Sequence, residues 1–173
     1  VNGDLPVNPA GALIHAAILG ARPEVNYSAH THSRAGAAVS SMSCGLLPLS
    51  QHAGLILPTV CIHPYQDVTT AADECEALAR DIGENFAMIM ENHGLLTCGR
   101  SIGECFYYLY YLETACKIQV DILSSGQKPL LLSDDIVKGL FGDGGVPKNE
   151  PSGAQDWYPQ LRWLDKNLPG YRD

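Results

Sequence analysis

Hydrophobic and polar positions run along this chain in two rhythms, and the switches between them mark out its elements. Pro9 suits the first turn of a helix, where its missing N–H costs nothing. The Ala-rich run behind it predicts a helix from 9 to about Gly20, ended by Arg22-Pro23. Residues 25–33 read as a strand, and the small-residue stretch 35–42 as a short helix. Residues 45–51 and 55–62 read as short strands broken by Gly54 and Pro58. Thr70 is placed to cap a helix over 71–83. The short apolar run 86–91 reads as a buried strand, and 95–98 continues it after a turn at Gly94.

Ser101 and Glu104 form a capping-box pattern ahead of a helix reaching about Ser124. Phe106, Leu109, Leu112, Cys116, Val120 and Leu123 recur at spacings of three and four and predict its apolar stripe. Gly126 is a stop signal. Beyond it the character changes. Asp134 and Asp135 read as a solvated helix start. Residues 139–156, rich in Gly, Pro and polar side chains, read as a mobile linker. Trp157, Leu161 and Leu164 predict a last amphipathic helix over 157–168, packed on the body or on a partner subunit. The expected organisation is one α/β domain over 1–131, then a linker and short helical tail over 132–173. There is no internal repeat.

Composition narrows the function classes. At 173 residues and 46% hydrophobic, the chain supports one substantial core. A net charge of -8 argues against a nucleic-acid groove or an anionic membrane surface. No apolar run approaches the roughly 20 residues of a membrane span, and no signal peptide is visible. The six cysteines are spread without a CxxC pair and read as buried free thiols, with a cytoplasmic setting expected. The chain opens on Val1-Asn2-Gly3-Asp4 in a loop-like stretch, and it is expected to lack the N-terminal part of a longer protein.

The candidate chemistry lies in two short motifs. His30 and His32, at i and i+2 on a strand, face the same side. His93 ends an apolar run just before Gly94. Neutral imidazole is a common ligand for zinc and iron, and three imidazoles with an open position make a catalytic type of metal site. A His-x-His pair alone fits equally a half-buried strand with its polar residues outward. The Asn92-His93-Gly94 motif strengthens the metal reading, because both sets sit at strand ends, where α/β folds place ligands. His15 reads as a helix-packing residue, and His52 and His63 as loop residues flanking 55–62 with room to line the site. Tyr107, Tyr108, Tyr110 and Tyr111 surround their helix and read as core and interface surface. Glu91 would alternate away from His93 on a regular strand.

Two segments, VNPAGALIHAAILGARPEVNYSAHTHSRAGAAVSSMSCGLLPLSQ and MIMENHGLLTCGRSIGECFYYLYYLETACKIQVDIL, resemble the class II aldolase/adducin family, with a weaker echo in WLDKNLPGYR. The resemblance covers about residues 5–125 and includes the spacing from HTHS to ENHGLL. It implies a three-layer α/β/α sandwich with a mainly antiparallel central sheet, commonly tetrameric, with active sites near subunit boundaries. By the same resemblance His30, His32 and His93 correspond to the family's three metal histidines. Zn²⁺ is the first expectation, with Fe²⁺ or Mn²⁺ as alternatives. The implied chemistry is lyase-like: the cation stabilises negative charge that develops on the oxygens of a hydroxy-carbonyl or sugar-phosphate substrate.

The chain departs from the aldolase pattern at Gly11, where the aldolases carry an acidic general base. Gly54 stands nearest to the epimerase's acidic residue. The NPAG start is typical of the adducin-like branch, which includes non-enzymatic cytoskeletal heads. Two further readings therefore stand beside the lyase: a non-catalytic adducin-like oligomerisation or binding module, and an Fe(II)-dependent oxygenase on the same scaffold.

Overall fold

Asn8 opens the first helix by accepting the N–H groups of Ala10 (3.1 Å) and Gly11 (3.4 Å), with Pro9 in the first position, so α1 runs Pro9–Ala21. The structure, a computed structural model, describes residues 6–65, 71–142 and 151–172. Strand β1 covers Tyr27–Thr31, shorter than predicted, and His32 lies just past its end. Ser33 caps α2 (Arg34–Ser40) through the N–H of Gly36. A short α3 (Gln51–Gly54), capped by Ser50, leads through a 3-10 turn at Leu57–Thr59 to β2 (Val60–His63). Then come α4 (Ala71–Ile82), β3 (Ala87–Met90), β4 (Gly94–Gly99) and α5 (Ile102–Ser124). The proposed cap Thr70 lies outside the described residues.

Among the described residues the sheet has four strands in the order β1-β4-β3-β2. β1 and β3 both pair antiparallel with β4, while β2 runs parallel to β3. α2 and α5 pack on one side of the sheet, and α1 and α4 pack together against its β1 and β2 edges, giving the expected α/β sandwich. β3 and β4 are buried along their whole length, as unbroken apolar central strands must be.

Two predicted strands are corrected. Residues 45–51 form no strand, because their backbone groups are taken elsewhere. The buried Gln119 amide accepts the Leu47 N–H at 2.7 Å and donates to the Gly45 carbonyl at 2.8 Å. The Pro48 carbonyl accepts the Leu132 N–H. Over 55–62 the Pro58 turn confines strand geometry to the last residues, and β2 extends instead to His63.

The α5 stripe is also rotated from its predicted face. Cys105, Tyr108, Leu112, Ala115, Cys116 and Gln119 are buried, whereas Phe106 and Leu109 are only half-buried. Ser101 caps the Glu104 N–H as expected, but the fully buried Glu104 carboxylate does not return to Ser101. It accepts the N–H groups of Arg100 (2.8 Å) and Ser152 (3.0 Å) and pairs with the Arg100 guanidinium.

The C-terminal region holds more structure than predicted. α6 (Asp134–Phe141) starts at the acidic pair, is capped by Ser133, and takes in 139–141. It lies on α3 so closely that a Cβ at Gly54 would stand 2.5 Å from Leu140. The rest of the predicted linker falls largely on 143–150, outside the described residues. α7 (Ala154–Asn167) turns Trp157, Leu161 and Leu164 inward as predicted, and Trp157 packs 5.4 Å from Phe106. Another 3-10 turn, Pro169–Arg172, follows. No helix among the described residues is long and apolar enough to cross a membrane.

Candidate metal centre

The β3–β4 hairpin is what brings the distant histidines together. Residues 91–93 form its turn, with Asn92 in the left-handed region at φ 52°. The Asn92 N–H donates to the Ser40 carbonyl at the end of α2, and the His93 N–H donates to Met90. Gly94 then passes directly against β1: a Cβ there would stand 2.3 Å from the Thr31 carbonyl oxygen and 3.3 Å from the His32 ring. Only a residue without a side chain permits that approach.

His30, His32 and His93 converge. Nε2 of His30 and Nε2 of His93 each lie 2.8 Å from Nε2 of His32, and the three ligand atoms fall within 4.8 Å of one another. Among the described residues this is the group of His, Cys, Asp and Glu side chains placed to hold a metal ion. His30 Nδ1–H donates to the Leu95 carbonyl at 2.9 Å, which fixes the tautomer and leaves Nε2 with its lone pair. Burial holds the His30 and His93 imidazoles below their ordinary range, and the neighbouring imidazoles add to it. Neutral nitrogens aimed at one point repel unless a proton or a cation sits between them, so the donor set fits a small divalent ion with open positions.

A cavity of about 140 Å³ opens beside His93, lined by His63, Pro64, Tyr65, Glu74, Met90 and Glu91. It lies past the C-terminal ends of the parallel pair β2 and β3, the usual ligand position in α/β sheets. Glu91 is in the turn rather than on the strand, so alternation does not carry it away from His93.

His63 is no loop residue. It ends β2, is only 5% exposed, and its Nδ1–H donates to Asp81 Oδ2 at 2.7 Å. Sequence reading missed Asp81. The available signal was an acid in the last turn of α4, where the helix dipole disfavours one and a partner is needed. His15 Nδ1 pairs with Ser28 Oγ at 2.6 Å, joining α1 to β1, and His52 sits 5.7 Å from the Tyr111 ring on α3; neither joins the site.

A second cavity of about 240 Å³ lies on the far side of β1, lined by Thr31, Ser33, Phe106, Tyr110, Glu113 and Lys117 among others. There the buried Thr31 Oγ1 has no hydrogen-bond partner among the described residues, while Ser33 donates to Glu113. The six cysteines are free, with Cys44 exposed against expectation. Burial pushes the Cys61, Cys98 and Cys116 thiols up to about 12, which disfavours their thiolate form.

Comparison with known proteins agrees with this architecture. The model of the Class II Aldolase and Adducin N-terminal domain matches residues 1–120. A putative aldolase class 2 protein of Caulobacter vibrioides is 37% identical over 96% of this chain and 65% of its own length. Alpha-adducin of Rattus norvegicus is 39% identical over 98% of this chain and 24% of its own length. The chain thus spans less than two thirds of these relatives. An aldolase II superfamily protein from Pseudomonas syringae superposes with a TM-score of 0.88 at 36% identity, covering 99% of this chain and 68% of that one. L-fuculose 1-phosphate aldolase from Glaciozyma antarctica gives 0.77 at 28% identity, over 92% and 59%. With its sandwich, its hairpin-borne histidine and these relatives together, the chain belongs to the class II aldolase and adducin family.

Proposed function

We propose that this chain is a metal-dependent, lyase-like protein in which His30, His32 and His93 hold one divalent cation, Zn²⁺ first, with Fe²⁺ or Mn²⁺ as alternatives. Its substrate is a small hydroxy-carbonyl compound, sugar phosphates included. The observation that carries this reading is the convergence of the three Nε2 atoms within 4.8 Å, each reached from a different backbone position. When bound, the cation polarises a carbonyl and lowers the cost of negative charge on oxygen. The chain's own part is preparation. Leu95 orients His30, the Gly94 approach sets His93 beside His32, and the neighbouring cavity gives the substrate a partly water-shielded place. The likeness to L-fuculose 1-phosphate aldolase supports the substrate class. A cytoplasmic homo-oligomer, a tetramer in the family manner, belongs to the same reading. The half-exposed Tyr110 and the Phe106 face of α5 suit such contacts.

One specific observation favours a second reading, a non-catalytic adducin-like module. Among the described residues a Cβ at position 11 would meet nothing nearer than Asn8 at 3.9 Å, yet no carboxylate is present there. Elemental analysis of protein purified without chelator decides between the two, beside a His30→Ala/His32→Ala control. About one zinc, iron or manganese per subunit, lost in the control, is expected. No metal in either sample, and none taken up on reconstitution, would overturn the metal-centred reading in favour of the module.

A further inference from the structure

The cavity beside His93 contains an arrangement that the three histidines do not account for. His63 is buried at the end of β2, and Asp81 holds its Nδ1–H at 2.7 Å. Arg80 donates to the other Asp81 oxygen at 3.0 Å, so the carboxylate is itself fixed. The remaining nitrogen, Nε2, belongs to a ring that lines the cavity and, with Nδ1 protonated toward Asp81, carries a lone pair. A carboxylate fixing one imidazole nitrogen so that the other can exchange a proton is a recurrent general-base arrangement. The groups facing His63 are Asp81 and Glu74 from α4, Glu91 from the hairpin turn, and His93. Two carboxylates and no lysine or arginine among the described lining residues make the cavity suited to the uncharged, hydroxyl-bearing end of a substrate.

We infer that His63, oriented by Asp81, is the catalytic residue that moves the proton at the carbon next to the substrate carbonyl, supplying the base that Gly11 cannot. This rests on the metal-centred reading above. In the step, His63 Nε2 takes H⁺ from that carbon. The C–H electron pair becomes the C–C π bond, and the carbonyl π pair moves onto its oxygen to give an enolate. The imidazolium keeps its Nδ1–H on Asp81. Return of the proton to carbon reverses each change, with no net oxidation or reduction.

The test uses hydroxyacetone and dihydroxyacetone as neutral probes with the whole metal-loaded protein in D₂O. Deuterium uptake at carbon is followed by proton NMR, with metal content and thermal midpoint measured on each sample. His63→Gln should keep its metal and lose roughly 100-fold or more in kcat for exchange, with KM moved less than about threefold. Asp81→Asn still accepts the Nδ1–H and should lose about tenfold in kcat. It decides the matter if His63→Gln does not fold, and an unchanged kcat there would overturn the inference. Exchange by a folded His63→Gln within about twofold of the parent overturns it as well. So does a fully loaded parent that exchanges neither probe. In each of these cases metal content alone still judges the three-histidine centre, so the two failures remain separate.

Discussion

A Cβ at position 94 would stand 2.3 Å from the carbonyl oxygen of Thr31, so Gly94 and Thr31 fix the distance between the two backbone segments that carry the histidines. Backbone against backbone cannot yield as a flexible side chain can. Gly94→Ala should therefore force the hairpin away from β1, destabilising the chain by about 2–3 kcal/mol and weakening metal binding at least ~10-fold. Urea unfolding and a chelator-competition titration check the two effects. Parent-like affinity in the variant would show that His93 is not held by this approach.

Acid should weaken the metal-free fold by a route that passes through the site. Burial first, then the neighbouring imidazoles, hold His30 and His93 below the ordinary imidazole range; the Leu95 carbonyl and Glu74, respectively, pull the other way. In the unfolded chain both titrate near about 6.5. Below that the unfolded state binds protons the folded state does not, so stability falls as pH drops from about 6.5 through the lower folded values. Above about 6.5 both states are neutral and the contribution is flat. Urea midpoints of metal-free protein across this range should show the decline, and a His30→Gln/His93→Gln variant should flatten it. An equal slope in the variant would place the acid sensitivity elsewhere.

Position 11 is expected to accept an acid. Gly11 is the third residue of α1, behind the Asn8 cap, and among the described residues its Cβ direction meets nothing nearer than 3.9 Å. Gly11→Glu removes a helix-weakening glycine and sets a negative charge at the positive end of the helix, for a gain of about 1 kcal/mol. A thermal midpoint that rises by a few degrees bears this out, and a fall would mean that the helix start is more crowded than its backbone suggests.

Gln119 should matter as a substitute for a strand. Gln119→Leu leaves the Leu47 N–H and the Gly45 carbonyl without their partners, at a cost of about 3 kcal/mol. Denaturant unfolding measures it, and a loss under ~1 kcal/mol would mean that water replaces the amide.

What could be read from sequence follows from where the information resides. α1, α5 with its Ser101 cap, and the buried run of β3 were legible because each is set by residues a few positions apart. The His30, His32 and His93 set was legible because strand period and a glycine turn are local too, and the family resemblance supplied their meeting. The false strand over 45–51 shows the limit. Its leucines are apolar enough for a short strand, but the groups that satisfy its backbone sit on Gln119, more than 70 residues away. The α5 stripe was misplaced because Phe106 and Leu109 are as apolar as the residues that face inward, and only packing chooses the face. Asp81 carried no motif, and its pairing with His63 exists only after α4 folds back over β2. Gly54 and Gly11 looked alike in sequence, yet one is closed by Leu140 and the other is open among the described residues.

The hairpin that presents His93 also implies an order of assembly. β3 and β4 are joined by a short turn and can zip early, whereas β1 must close onto β4 across most of the domain; His30 and Leu95 are separated by 65 positions. Closures of that length are the slow steps of folding, because chain entropy is lost before contacts form. The three-nitrogen cluster comes into being only with that last closure. A cation with affinity for it then acts as a latch, slowing the departure of β1 far more than it speeds its arrival.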